Sequence, residues 1–368
     1  MTADTAIFPA RLERLRRLIQ GQDLEGILIT SPVHVRYLTG FRGDASYLLV
    51  GLERLLLVSD GRFTQQLQEE CPEVPLHIRP PDVRLAQATA ECVNHLGWRR
   101  VGFEARHISV AEWEEVRSQT PAVTWKPTQQ VVESLRQRKD DSELAQIREA
   151  IRIAERAFQR FRHSLRPEDT EKDLVDRMEM LLRSEGAAKS SFPTIVAVGE
   201  RSALPHCPPS RRALGEAPMV LVDWGADAGG YCSDLTRVLT RRTISPQLRQ
   251  VWSAVQAARA RALAQLRPGV AAEAVDAAAR AALAEAGLAE YFPHALGHGI
   301  GMEVHESPRL GAKVSTLLEP GMVVTIEPGV YLPGWGGVRL EDDVAITADG
   351  CEVLSQLSTI PEELTWEG

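Results

Sequence analysis

The sequence predicts two domains of different class, an α/β domain over residues 1–133 and an α+β domain over residues 134–368. Three observations predict this. At 368 residues the chain exceeds the usual size of a single domain. Its first third alternates short apolar runs with helical patterns, as an α/β sheet requires. Its remainder sets long helices against apolar hairpins with Gly-rich turns, the pattern of an α+β domain.

In chain order, residues 10–20 read as an amphipathic helix and residues 26–30 as a strand, followed by Ser31-Pro32 and the stretch Tyr37-Leu38-Thr39-Gly40-Phe41. Strands follow at 47–50 and 55–58, helices at 63–70 and 83–96, and a strand at 101–103. The second domain opens on a charged run, Arg-Gln-Arg-Lys-Asp-Asp, within one helical segment over 134–162. Asp141 or Ser142 is the expected N-cap, with Glu143 in the first turn. Further helices are expected near 171–185, 247–266 and 271–287, where Pro268-Gly269 ends one helix and opens the next. The Ala-rich stretch 254–286 keeps a Leu and Val spacing that fits close-packed helix, and no repeat of solenoid length occurs.

Composition narrows the function. A net charge of −8 argues against nucleic acid as a partner. No apolar run approaches the ~20 residues that span a bilayer, so no membrane role is expected. Met1 to Arg17 carries charge early and lacks a hydrophobic signal core, which argues for a cytoplasmic protein. Five cysteines, odd in number and without C-x-x-C spacing, read as reduced thiols.

Chemistry concentrates in the second domain. Asp223 and Asp234 lie on opposite arms of one hairpin, residues 220–239, around Gly229-Gly230. A turn centred between Ala228 and Gly229 would set them directly opposite, where like charges ~5 Å apart repel. Glu327 and Glu341 repeat the arrangement, with Pro333-Gly334 midway between them. One acidic residue in a strand is ordinarily a surface group or a cap. Two pairs inside apolar runs such as Val323-Val324-Thr325-Ile326-Glu327 are not. Such anions call for cations. Four carboxylates with His298 form a hard donor set whose charge matches two divalent ions, Mn²⁺ foremost, with Co²⁺ or Zn²⁺ as alternatives. His294, His298 and His305 cluster in a Gly-rich segment that excludes an H-E-x-x-H helix. His206 is a fourth candidate, on a loop.

These residues sit in ordered motifs: Ser191-Phe-Pro-Thr-Ile-Val-Ala-Val-Gly with Pro205-His206, Val222-Asp223-Trp-Gly, and Ser233-Asp234-Leu-Thr-Arg237. Gly297-His298-Gly-Ile-Gly, His305-Glu306, Ile326-Glu327-Pro-Gly-Val-Tyr331 and Val338-Arg339-Leu-Glu341-Asp-Asp complete the set. The chain resembles the pita-bread metallopeptidases, in the branch of Xaa-Pro dipeptidases (prolidases) and Xaa-Pro aminopeptidases. Arg36-Tyr-Leu-Thr-Gly-Phe41 and Asp60-Gly-Arg-Phe63 resemble that family's smaller N-terminal domain.

The resemblance implies a creatinase/prolidase-like N-terminal domain, a pita-bread catalytic domain, and hydrolysis of Xaa-Pro bonds in short peptides by a hydroxide bridging two metal ions. It makes Asp223, Asp234, His298, Glu327 and Glu341 the metal ligands, with Asp234 and Glu341 bridging. His206 and His305 would act on the substrate and its tetrahedral intermediate, and Glu327 would also shuttle the proton. His294 and Arg339 would line the prolyl pocket, with Thr236 behind the metals. Trp224 and Cys207 depart from the family pattern, and Cys207 leaves the neighbouring pocket wall open. A homodimer is also implied.

Dipeptides are the expected substrates, since a carboxylate directly after proline calls for a cationic partner, and Arg42 after the Thr-Gly-Phe turn is the candidate. The chain length, without a large N-terminal extension, points the same way; the alternative is an Xaa-Pro aminopeptidase. Metal-free creatinase-like chemistry and a non-catalytic scaffold are opposed by the five intact ligands, and a methionine aminopeptidase has no need of the first 130 residues.

Overall fold

The structure, a computed structural model, describes residues 7–241 and 243–366. Residues 1–6, part of the segment inspected for a secretion signal, lie outside the described residues. The chain divides into two compact units, Met1–Leu135 and Arg136–Gly368.

The N-terminal unit is built on strands β1 (Gly26–Ile29), β2 (Tyr47–Gly51), β3 (Leu55–Asp60), β4 (Leu76–Arg79), β5 (Arg100–Glu104) and β6 (Thr124–Thr128). They form one mixed sheet in the order β4-β3-β2-β1-β5-β6, with β1, β5 and β6 mutually parallel. Helices α1 (Ile7–Gly21), α2 (Pro32–Thr39), α3 (Thr64–Glu70), α4 (Leu85–Leu96) and α5 (Val110–Gln119) accompany it. Leu28, Leu49, Val58, Val93, Phe103 and Val116 form the core on one face, with Trp113 stacked on Phe103 at 3.8 Å. Each such buried side chain stabilises the fold by roughly 1.5–3 kcal/mol. Four elements go beyond the expected set: α2, α5, β4 and β6. Helix α2 hides in the Tyr-Leu-Thr-Gly stretch; Pro32 opens its first turn and Gly40, at φ 84°, closes it in the left-handed conformation.

The expected helix over 134–162 is two helices, α6 (Val131–Arg136) and α7 (Asp141–His163). Asp140, rather than Asp141 or Ser142, caps α7. Its carboxylate accepts from the Glu143 amide while Glu143 accepts from the Asp140 amide, a capping box that fixes the cap three residues before Glu143. The apolar face of α7 (Ile147, Ala150, Ala154, Phe158, Phe161) is buried, and the helix packs against α8 (Glu171–Ser184). Helices α9 (Pro246–Gln265) and α10 (Ala272–Glu285) pack on each other.

The C-terminal unit's strands are β7 (Lys189–Ser190), β8 (Ile195–Val198), β9 (Met219–Trp224), β10 (Ala226–Ala228), β11 (Tyr231–Cys232), β12 (Leu235–Thr240), β13 (Gly297–Gly299), β14 (Glu306–Leu310), β15 (Val323–Ile326), β16 (Gly329–Leu332), β17 (Gly336–Arg339), β18 (Asp342–Ile346) and β19 (Cys351–Val353). They pair as β12-β9-β8, β11-β10-β7, β14-β13-β15-β18-β19 and β16-β17. A bridge between Thr236 and Glu341 joins the two carboxylate-bearing hairpins. All five cysteines are free, and no described helix is long and apolar enough to cross a membrane.

Candidate active site

The two hairpins deliver their acids differently. In the first, Gly229 and Gly230 both take positive φ, 59° and 79°, so both are central residues of the turn. The turn is therefore centred one residue later than expected. Asp223 lies opposite Thr236, not opposite Asp234. Asp234 falls in line with Gly225, where any Cβ would come within 1.9 Å of the Ser233 carbonyl oxygen. The two aspartates are thus diagonal neighbours, a spacing at which repulsion persists. In the second hairpin the register runs from Ile326↔Asp342 to Gly329↔Arg339, which leaves Glu327 and Glu341 in line as expected.

The result is a buried acidic cluster. Asp223, Asp234 and Glu341 are 8 %, 5 % and 2 % exposed. Ligand atoms of Asp234, His298 and Glu341 lie within 4.8 Å of one another. His298 rides on β13; its Nδ1 donates to the Gly299 carbonyl (3.1 Å), which leaves Nε2 facing Asp234 Oδ2 (3.6 Å) and Glu327 Oε1 (3.4 Å). Burial lowers the His298 pKa to about 4, so the ring offers a lone pair rather than a charge.

Burial, and then the neighbouring Asp223 charge, push Glu341 up to about 8. Asp234 and Glu327 are raised well above the ordinary carboxylate range too, by burial first and then by Glu341. Asp223 is raised by burial despite Arg339 beside it, and its Oδ1 is buried without a hydrogen-bond partner. Behind the cluster Asp343, fully buried, accepts from the Asp234 amide (3.1 Å) and is raised by burial as well. Among the described residues one arginine, Arg339, faces these acids. Divalent cations fit the deficit: the donors are oxygens and one imidazole, and an orphaned carboxylate oxygen is among them.

Other residues hold the donors in place. Thr236 donates to Glu341 Oε2 (2.6 Å) and accepts from Arg339 Nε (3.0 Å). Arg339, expected to line the prolyl pocket, is 3 % exposed and also donates to Asp223 Oδ2 (2.5 Å) and the Tyr331 hydroxyl (2.8 Å), with Glu341 Oε2 at 3.9 Å. Tyr331 in turn donates to His294 Nε2 (2.8 Å), whose Nδ1 donates to the Ala295 carbonyl (2.8 Å) and lies 3.8 Å from Glu327 Oε2. Burial lowers His294 to about 4.

His305 packs its ring edge on His298 at 4.4 Å. The exposed His206 lies near enough to Asp223, His294 and His305 to interact with them electrostatically. Arg42 belongs to the N-terminal unit, where it is exposed and its backbone amide donates to Glu70 (2.8 Å).

Sequence reasoning assigned no role to Tyr331, Asp343 or Arg237. All three stand inside the motifs it quoted, which was the available signal. Arg237, fully buried, donates to the Ser358, Thr236, Glu341 and Leu357 carbonyls and to Asp342 Oδ1, using every N–H it has.

Known proteins share this architecture. Residues 11–138 match the creatinase/prolidase N-terminal domain, and residues 145–348 match the metallopeptidase family M24. A peptidase of Bacillus subtilis strain 168, YqhT, is 38 % identical over 354 residues, 96 % of this chain and 99 % of its own. Among solved structures, the Xaa-Pro dipeptidase from Bacillus anthracis superposes with a TM-score of 0.91 at 35 % identity, over 95 % of this chain and 98 % of that one. The X-Pro aminopeptidase from Thermotoga maritima MSB8 gives a TM-score of 0.87 at 32 % identity, over 96 % and 99 %. The acidic cluster falls inside a family match that covers more than half of the sequence, and the chain therefore belongs to metallopeptidase family M24.

Proposed function

We propose that this chain is an Xaa-Pro dipeptidase acting on short proline-containing peptides with two divalent ions, manganese foremost. The observation that carries the reading is the cluster itself: three buried carboxylates and the half-buried Glu327, all with raised proton affinities, one bare imidazole nitrogen, and, among the described residues, a single arginine against them. Similarity to the Xaa-Pro dipeptidase of Bacillus anthracis supports the substrate class.

Asp223, Asp234, His298, Glu327 and Glu341 would hold the ions. When bound, such ions lower the pKa of water toward neutrality and polarise a carbonyl oxygen. The chain's own groups do the rest. Thr236 and Arg339 fix Glu341 and Asp223 from behind, so the donors need not reorganise. Glu327, beside both His298 and His294, carries a proton to the leaving prolyl nitrogen. That nitrogen is a tertiary amide without N–H, so strand-like gripping of the substrate backbone fails there. His305 and His206 donate to the developing oxyanion, where losing one donor typically costs roughly 10²–10³ in rate. His294 bounds the prolyl side, oriented by Tyr331. Arg42 is assigned the substrate carboxylate. The reduced cysteines support a cytoplasmic setting, and the family resemblance supports a homodimer.

The test compares hydrolysis of an Xaa-Pro dipeptide and an Xaa-Pro-Yaa tripeptide by manganese-loaded wild type and Arg42→Ala. Dipeptide preference that collapses in the variant supports the reading. Faster tripeptide cleavage, unchanged by the variant, makes the protein an aminopeptidase, the activity named for the Thermotoga structure. No cleavage of either rejects the peptidase assignment.

A further inference from the structure

His206 stands on the connection between β8 and β9, in the loop of residues 199–209. Its ring is exposed and has no hydrogen bond among the described residues, so the loop's backbone sets where it stands. The base of the loop is pinned. Ser202 Oγ donates to the Gly199 carbonyl (2.6 Å) and accepts from the Gly337 amide (2.7 Å) on β17, the strand that ends in Arg339. A Cβ on Gly337 would come within 2.2 Å of the Ser202 carbonyl oxygen, so only glycine admits the loop this close. Cys207, next to His206, is buried in the apolar core.

Both ends of the loop meet at one carboxylate, that of Glu171, the first residue of α8. Thr170 and Asp173 already form the capping box of that helix, so Glu171 is not needed as its cap. Glu171 is fully buried instead, and its carboxylate is spent on groups outside the helix. Oε1 accepts from the Val198 amide (2.8 Å), just before the loop, and Oε2 from the Ser210 amide (2.8 Å), just after it. Arg201, within the loop, donates from Nε to both oxygens (3.0 and 2.9 Å), and its guanidinium also donates to the Pro208 carbonyl (2.6 Å). The backbone closes the same neck, with the Glu171 amide on the Arg212 carbonyl (3.0 Å) and the Lys172 amide on the Ser210 carbonyl (3.2 Å). Residues on either side of His206 are thereby tied to each other and to α8.

We propose that Glu171, acting through Arg201, is the positioning residue that holds the His206 loop in place beside Asp223, a role that rests on the reading of His206 as an oxyanion donor. Such a donor works only where its geometry is set before the charge develops. A misplacement of about 1 Å can cost on the order of 10²-fold in rate. Surface loops are ordinarily mobile, and a buried carboxylate across the neck removes that freedom. Glutamine in place of Glu171 can accept at one end of the neck only, and it turns an amide donor against the N–H at the other. The neck would then open while α8 keeps its cap.

The experiment uses full-length, manganese-loaded protein as wild type, Glu171→Gln, His206→Ala and the double variant. Xaa-Pro dipeptide kinetics and backbone hydrogen exchange, read by mass spectrometry, are measured on each. Glu171→Gln is expected to lower kcat about 10–100-fold with KM within about threefold of wild type, because the donor acts in the transition state. Added to His206→Ala it should cost less than about twofold more, since the place of an absent ring no longer matters. Residues 199–210 should exchange faster in Glu171→Gln, with the N-terminal unit unchanged. An ion pair that only stabilises the fold would lower the unfolding midpoint without this coupling. Wild-type kcat in Glu171→Gln, a loss that multiplies fully in the double variant, or unchanged exchange of the loop overturns the proposal. Wild-type kcat in His206→Ala, or no cleavage by any of the four proteins, rejects the functional reading instead; faster loop exchange in Glu171→Gln then sustains the clamp on its own. If Glu171→Gln fails to fold, Arg201→Met, at a side chain 25 % exposed, takes its place in the same cycle.

Discussion

Glu341 and Asp342 are joined by one peptide bond and are 2 % and 1 % exposed, yet their protons behave oppositely. Glu341 is pushed up to about 8 by burial and by Asp223. Burial acts to raise Asp342 too, but Arg237 and Arg259 hold it below its ordinary value. Arg237 and Arg259 each reach an Asp342 oxygen at 2.6 Å, whereas the arginine near Glu341 stands at 3.9 Å and is closer to Asp223. Successive residues of a strand face opposite ways. One face is completed by the chain's own cations, and the other is left short of them. Burial does not separate these two acids; counter-charge does.

Four changes break or sharpen that contrast. The largest effect is expected from Glu341→Gln, which should lower kcat/KM for an Xaa-Pro dipeptide by about 10³-fold or more while leaving circular dichroism unchanged. Next is Glu306→Gln, on the completed side of the contrast. Burial acts to raise Glu306, but Lys139 and Arg136 hold it at about 2. Removing its charge from a buried network should cost about 3 kcal/mol in denaturant unfolding at pH 7. Since the folded pKa is depressed, that stability is present above the unfolded value and lost as pH falls toward about 2, so the gap to wild type should close over that range. A gap independent of pH would contradict the ion-pair assignment.

Smaller again, Thr236→Val should weaken manganese binding about 10–100-fold by freeing Glu341 and Arg339, read by titration calorimetry. The same titration in wild type at pH 7 should release protons, because Glu341 is protonated until about 8; the released heat should scale with buffer ionisation enthalpy. The smallest change is Tyr331→Phe, which removes one hydroxyl shared by His294 and Arg339. KM for dipeptides should move severalfold, with metal affinity unaltered.

The acids of the cluster stood out in the sequence because they interrupt apolar strand runs, and nothing local explains them there. The second hairpin was legible to the residue, since Pro333-Gly334 sits at its centre. The first was read one residue short, because the turn requires positive φ at both central positions and Ala228 cannot supply it as cheaply as Gly230. The Arg339–Asp223 pair was not legible, because sequence order gives no direction to a side chain and only the packed register turns the guanidinium onto Asp223. Asp343 and Arg237 escaped notice because a buried positioning group and an exposed surface charge look alike in one dimension. Helix α2 was missed because eight residues carry too little periodicity to separate a short helix from a turn.

The most direct test of the counter-charge argument is anomalous scattering from a manganese-soaked crystal of the wild-type protein. Two ions are expected among Asp223, Asp234, His298, Glu327 and Glu341, with none beside the arginine-paired Asp342. An acidic cluster without an ion at saturating manganese, its carboxylates still protonated, would contradict it.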